Sequence, residues 1–300
     1  MIKITAGSKY IDIDAYASCI AYAKLLNSLG LKAEAVSFTN NFSKSITQSL
    51  KNSKYKMNIV KTISDKVIIL DVSNPNMIDK NVLNSEVIEV IDHHPYKDAI
   101  IYWEKRNTNT IIEEIGSVCT IIYEKIKAAD KLNILDYELC KLLAAGILDN
   151  TLNLKAKITK ERDVIAYKEL IKIGNLDNNF SKQYFQECQN EIEKDIINTI
   201  ENDLKTDLEF NGIPKVFGQM LIINIESIFN KKQIIIDYMN SKYDEWIINF
   251  ICLDDGKSYI MCDSENTSQK INTILKQEII NNVIIMTTFK LRKEILKLFT

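Results

Sequence analysis

The run KVIILDV (66–72) is short, almost wholly apolar, rich in β-branched residues, and carries a single charge near its end. It lacks the polar–apolar alternation of a half-exposed strand, so both faces of the strand it predicts must be covered, the condition met inside a parallel sheet. SEVIEVID (85–92) has the same character and also ends on an aspartate. MIKITAG (1–7) predicts a short first strand, and KAEAVSF (32–38) alternates like another. Between them, apolar residues over 14–30 recur at helical spacing and stop at Gly30, where a helix C-cap belongs. Strands and helices in this order predict an α/β fold with a mainly parallel sheet and helices on both faces.

From Ile115 onward the pattern turns helical, with helices expected over 116–129, 136–149 and 160–173 and a long charged one over about 180–206. TDLEFNGIPKV (206–216) interrupts it with glycine and proline. Beyond lies a second segment with strands in MLIINI, EWIINFICL, KSYIMCD and NVIIMTTF, a helix over 266–278 and a last helix in LRKEILKLF. Two domains are expected, 1–190 and a smaller α+β domain over 191–300.

Charge and cysteine usage narrow the function classes. With 38 basic and 40 acidic side chains the net charge is −2, which points to no broad nucleic-acid footprint. No apolar run reaches membrane-spanning length. The six cysteines are dispersed with no C-x-x-C pair, which argues against structural zinc or a disulfide framework and fits a reducing cytosol, so a cytoplasmic location is expected.

Five aspartates stand at the ends of the apolar runs or an adjoining helix: Asp12 and Asp14, Asp71, Asp92 and Asp149. In open parallel sheets the ligand crevice lies beyond the carboxyl ends of the strands, so these groups can converge there. Converging carboxylates repel unless a cation neutralises them, and mixed carboxylate and imidazole donors suit divalent manganese, iron or cobalt. The chain's only two histidines, His93 and His94, directly follow Asp92 and would supply the imidazoles. Against this, a lone aspartate at a strand end is ordinarily a turn residue or helix cap. Adjacent loop histidines are often only solvated, and spacing alone leaves both readings open.

Taken jointly, these stretches resemble the DHH phosphoesterases. The D-x-D of DIDAYAS (12–18), the aspartate in ILDVS (69–73), DHH itself at 92–94, and GSVCTIIYEKI followed by LLAAGILDNTLNLK match the four family motifs in order over roughly 1–160. The resemblance implies two manganese ions per chain, with magnesium or cobalt as alternatives. It assigns Asp12 and Asp71 to one ion and Asp14, Asp71, His93 and Asp149 to the other, with Asp71 bridging them. Asp92 would orient a histidine, and His94 would face the substrate phosphate. One departure stands out: where the family has a histidine four residues before the first aspartate, this chain has Ser8, a weak neutral ligand beside Lys9.

The second segment resembles the branch of manganese-dependent inorganic pyrophosphatases and exopolyphosphatases. The family's Gly-Gly-Gly-His-type motif for nucleic-acid substrates is missing, since no histidine follows His94 and no Gly-Gly pair occurs. FKLRKEIL (289–296) and NDLKTDLEF (202–210) resemble that branch's phosphate-binding stretches, which nominates Arg292, Lys293 and Lys205. The expectation is therefore a hydrolase of pyrophosphate or short polyphosphate acting on a small phosphate substrate, without nucleic acid or membrane, with a homodimer allowed. A phosphodiesterase or nucleotidase, and a non-enzymatic phosphate or nucleotide binder, remain the alternatives.

Overall fold

The computed structural model describes residues 1–7, 10–63, 66–94, 96, 98–206 and 208–299. The chain separates into two compact units, Met1–Tyr184 and Phe185–Thr300. The division falls inside a helix, α8 (Phe180–Lys194), which also contains position 190.

The first unit is built on a six-stranded sheet. Its strands are β1 (Ile2–Thr5), β2 (Ala33–Ser37), β3 (Asn58–Ile59), β4 (Lys66–Leu70), β5 (Glu86–Asp92) and β6 (Asn109–Ile112), in spatial order β3-β2-β1-β4-β5-β6. Every pairing is parallel. In β4, Val67, Ile68, Ile69 and Leu70 are all buried although successive side chains point to opposite faces, so both faces are covered there. The chain runs outward from β1 to β2 and β3, then returns to add β4 on the other side of β1. The order thus reverses between β1 and β4, which opens a crevice beyond their carboxyl ends. The short strands β3 and β6 escape the sequence pattern, because two or four half-exposed residues carry no apolar run.

Helices α1 (Ile13–Ser28), α2 (Gln48–Lys51), α3 (Lys80–Leu83), α4 (Ala99–Glu104), α5 (Val118–Ala128), α6 (Tyr137–Asn150) and α7 (Glu161–Ile173) complete the unit. Along α1 nearly every residue from Ile13 to Leu26 is buried, and its alanines at 15, 17, 21 and 23 let neighbouring backbones come close. The tightest approach is at Gly146 of α6, where an added Cβ would lie 2.5 Å from Cys119 Sγ and 3.3 Å from Asp14 Cα.

The second unit carries a five-stranded mixed sheet ordered β10-β11-β9-β8-β7. Its strands are β7 (Val216–Ile222), β8 (Trp246–Cys252), β9 (Lys257–Cys262), β10 (Glu278–Ile280) and β11 (Val283–Met286), with only β7 and β8 parallel. Alternate β8 residues feed two separate buried clusters, Trp246, Ile248 and Phe250 in one and Ile247 in the other, so this sheet is also covered on both faces. Around it stand α9 (Ile196–Asp203), α10 (Ile225–Phe229), α11 (Lys232–Lys242), α12 (Glu265–Leu275) and α13 (Arg292–Leu296). The single long helix expected over 180–206 is two helices. Asp195 leaves helical geometry (φ −149°, ψ 67°), and its side chain accepts from Asn198 N–H to start α9 anew.

Replacing Gly146 by valine tests the α1–α5–α6 junction. The added bulk meets Cys119 and the Asp14 backbone, and the melting temperature should fall by the equivalent of about 1–3 kcal/mol. A thermal melt followed by circular dichroism measures it, and an unchanged midpoint would mean the helices pack less tightly than described.

Candidate metal centre

Each strand that ends at the crevice delivers a carboxylate or imidazole to it. After β1 the chain enters α1 through Asp12, whose Oδ1 accepts from Ala15 N–H at 3.0 Å as an N-cap. Asp14, in the first turn of the same helix, is fully buried. After β4 comes Asp71, with φ at 65°, a left-handed conformation that aspartate tolerates better than most residues. Its backbone N–H is tied to Ile91 C=O at 2.9 Å, so the turn is held against β5. After β5 comes Asp92, fully buried, whose Oδ1 accepts from the backbone N–H groups of His93 (2.7 Å) and His94 (3.0 Å) and from the His94 ring at Nδ1 (2.9 Å).

The two imidazoles are oriented differently. His93 is buried, and its Nδ1 lies 2.9 Å from Ile115 C=O. A carbonyl can only accept, so Nδ1 carries the proton and the Nε2 lone pair faces inward, where the Asn150 amide lies 3.4 Å away. That Nε2 lies 3.3 Å from Asp71 Oδ1 and 3.8 Å from Asp14 Oδ2. His94 has a side chain 52% exposed, and with Nδ1 held by Asp92 its Nε2 edge is left for solvent or a bound molecule. Asp71, His93 and His94 bring one ligand atom each within 4.8 Å of one another, the geometry of a cation site.

Charge in this crevice is poorly compensated without a cation. Burial pushes the Asp71 carboxyl well above the usual range, and Asp12 and Asp14 push it further against the opposing pull of His94. Its Oδ1 is buried without a hydrogen-bond partner, as a ligand atom awaiting a metal would be. Burial and Asp14 likewise raise Asp12, although Ala15 N–H and the histidines oppose this. Burial would raise Asp92 too, but its hydrogen bond and charge interaction with His94 hold it below the usual value. His94 is lowered by burial, and its contacts with Asp92 and Asp71 more than reverse this. These donors fit a divalent ion of the manganese class.

At the end of α6, Asp149 and Asn150 take different partners. Asp149 Oδ1 accepts from the Tyr184 hydroxyl at 2.9 Å. Burial first, with Asp12 and Asp14 adding to it against that hydrogen bond, pushes its carboxyl up to about 7. The residue that touches Asp14 and His93 is the next one, Asn150, with Nδ2 2.5 Å from Asp14 Oδ2 and 3.4 Å from His93 Nε2. Neighbouring side chains on a helix diverge by roughly 100°, so only one of the two can face that corner. Ser8 and Lys9 lie outside the described residues.

Lys205, Arg292 and Lys293 belong to the second unit. Lys205 pairs through its backbone with Phe217, and its side chain, like that of Lys293, is exposed. The Arg292 guanidinium is engaged: Nη1 donates to Asp203 Oδ2 (2.8 Å), Asp203 C=O (3.0 Å) and Phe217 C=O (2.8 Å).

Asp71→Asn separates crowding from metal binding. Asparagine tolerates the left-handed backbone equally well and removes one of the repelling charges. The metal-free variant should therefore melt higher than the wild type, while the stabilisation that manganese gives the wild type is lost. Asp92→Asn, which only disturbs the support of His93 and His94, should weaken manganese binding about 10–100-fold. Calorimetric titration with melting curves reads both, and equal affinity losses would contradict the assignment.

Comparison with known proteins follows this geometry. A sequence profile of the DHH family, N-terminal domain, matches residues 3–147. A manganese-dependent inorganic pyrophosphatase of Methanothrix thermoacetophila is 24% identical over 251 residues, covering 82% of this chain and 78% of its own. A Clostridium acetobutylicum protein assigned as a manganese-dependent inorganic pyrophosphatase is 26% identical over 312 residues, covering 98% and 95%. Among solved structures, a Methanococcus jannaschii protein assigned to the family II inorganic pyrophosphatases superposes with a TM-score of 0.67 at 17% identity, covering 100% of this chain and 99% of that one. An exopolyphosphatase-related protein of Bacteroides fragilis gives 0.54 at 14%, covering 99% and 90%. At these identities the structural likeness speaks to the fold, a parallel-sheet unit followed by a mixed-sheet unit. The match to the DHH family, N-terminal domain, takes in the strands and helices that build the crevice, from β1 into α6.

Proposed function

We propose that this chain is a divalent-metal-dependent hydrolase of a phosphoanhydride, inorganic pyrophosphate or a short polyphosphate. The observation that carries the reading is the meeting of the unpartnered Asp71 Oδ1, the unprotonated, inward-facing Nε2 of His93 and the half-exposed His94 at the sheet's switch point. The relatives assigned as manganese-dependent inorganic pyrophosphatases support the substrate class.

Asp71 and His93 would hold the ion, with Asp12 beside them and His94 at the open edge of the cluster, facing the substrate. A bound divalent cation supplies charge that acidifies an attacking water and offsets the negative oxygens of the substrate. The chain's own groups do the rest. Asp71 is aimed by its left-handed turn, and His93 is fixed in one tautomer by Ile115 C=O, so neither must reorganise when the ligand arrives. Asp92 locks His94 with its Nε2 edge outward, and the raised His94 pKa favours an imidazolium that can donate a hydrogen bond to a phosphate oxygen. Hydrolysis then forms one bond from water oxygen to the terminal phosphorus and breaks the bridging P–O bond. The leaving phosphate keeps that electron pair, and the water's proton passes to solvent.

His94→Gln should lower phosphate release from pyrophosphate about 100-fold or more while manganese affinity falls far less, because its proposed partner is the substrate. Release measured with manganese from pyrophosphate, tripolyphosphate and a dinucleotide tests the class. Turnover of the dinucleotide alone would refute the phosphoanhydride reading.

Arg292, Lys293 and Lys205 are our candidates for the phosphate contacts of the second unit. Arg292→Ala should raise KM for pyrophosphate about tenfold, the worth of one charge-assisted hydrogen bond. Arg162→Ala, which removes an exposed arginine paired with Glu113 and Glu124, should leave KM unchanged. A lowered melting point with unchanged KM in Arg292→Ala would make its contact with Asp203 purely structural.

A further inference from the structure

We infer that the crevice holds one divalent ion and not two, because the Asn150 carboxamide closes the corner between Asp14, His93 and the end of α6. The inference rests on the metal-dependent reading above, and departs from the pair of ions that the family resemblance implies.

Asp14 is the first reason. An ionised carboxylate offers about four lone-pair sites. Here four donors are already on it: Ser117 Oγ–H at 2.7 Å and Cys119 N–H at 2.8 Å on Oδ1, and Val118 N–H at 2.9 Å and the Asn150 amide on Oδ2. Two of them, Val118 and Cys119, are first-turn N–H groups of α5, which have no partner within their own helix. Asp14 therefore shares with Ser117, whose Oγ also accepts from Cys119 N–H at 3.1 Å, the capping of a helix other than its own. Turning either oxygen toward a cation would strand buried donors that the fold needs satisfied.

The position and chemistry of Asn150 are the second reason. Asp14 Oδ2 and His93 Nε2 are 3.8 Å apart, and an ion shared by them would have to sit against both. The Asn150 Nδ2 already does so, at 2.5 Å and 3.4 Å. An amide NH2 is a pure donor and cannot ligate a metal, but its positive end takes the place of one electrostatically. Flipping the amide would set its oxygen against a carboxylate, so the orientation is dictated by the partner. Asp149 cannot take over from one residue away, since its carboxylate is turned to Tyr184. Among the described residues, what remains for a cation is the place beside Asp71 and His93, with His94 at its edge.

The test counts ions. Metal-stripped protein is titrated with Mn2+ alone, and free ion is followed by its paramagnetic resonance signal. The wild type should bind one Mn2+ per chain, and Asn150→Asp should bind two. The variant also places a carboxylate against Asp14 Oδ2, so its metal-free melting point should fall below wild type and recover with Mn2+ to a larger extent. Two ions in the wild type would overturn the inference. One ion in both proteins would overturn the role of Asn150. No bound ion in the wild type would instead overturn the metal-dependent reading on which this rests. Should Asn150→Asp fail to fold, Asn150→Ser removes the amide without adding charge. A second, weaker Mn2+ site appearing there would support closure by Asn150, and an unchanged count of one would overturn it.

Discussion

Five carboxylates crowd the carboxyl end of one parallel sheet, and their mutual repulsion is the constraint the rest of the site answers. Four of them are discharged onto protein donors. Asp12 caps α1, Asp14 caps α5, Asp92 takes two backbone N–H groups and an imidazole, and Asp149 takes a tyrosine hydroxyl. Two oxygens among the five carboxylates stay buried with no partner, Asp92 Oδ2 and Asp71 Oδ1, and Asp71 Oδ1 is the one that lies 3.3 Å from His93 Nε2. The arrangement sets one unpartnered carboxylate oxygen, Asp71 Oδ1, beside the imidazole nitrogen of His93 that faces inward.

The topology makes this concentration cheap to build. Parallel strands all end on the same side, and the reversal between β1 and β4 leaves room there that no loop must fill. The N-termini of α1 and α5 point their unsatisfied N–H groups into the same space, where they favour negative charge. Small residues finish the construction, since Gly146 lets three helices meet within contact distance of Asp14. Local backbone chemistry and global topology therefore serve the same end, and of the five aspartates Asp71 is the one with a left-handed backbone.

Much of this was readable from residue order. Apolar runs ending in Asp71 and Asp92 predict buried parallel strands and place their terminal carboxylates in the crevice, because strand period and sheet topology act locally. The adjacent histidines after Asp92 supply the imidazoles by the same logic. What stayed hidden depends on phase or on distance. Whether residue 149 or 150 of α6 faces Asp14 is a matter of rotation about a helix axis, and the sequence DNT offers both a charged and a neutral candidate. The pairing of Arg292 with Asp203 joins positions far apart in the chain, so neither residue's neighbours announce it. The break at Asp195 lies in a stretch whose charged residues suit a continuous helix, and the capping aspartate looks like any other there.

Asp14 also fixes when the crevice can exist. Its donors come from 103 to 136 positions further along the chain, in α5 and at the end of α6. A ribosome-bound chain that has emerged as far as His94 already carries Asp12, Asp71 and both histidines, yet has none of the residues that donate to Asp14. Every donor that Asp14 uses in the folded protein is synthesised after that point. Closure must await residue 150, and the order of synthesis becomes the order in which the site acquires its shape.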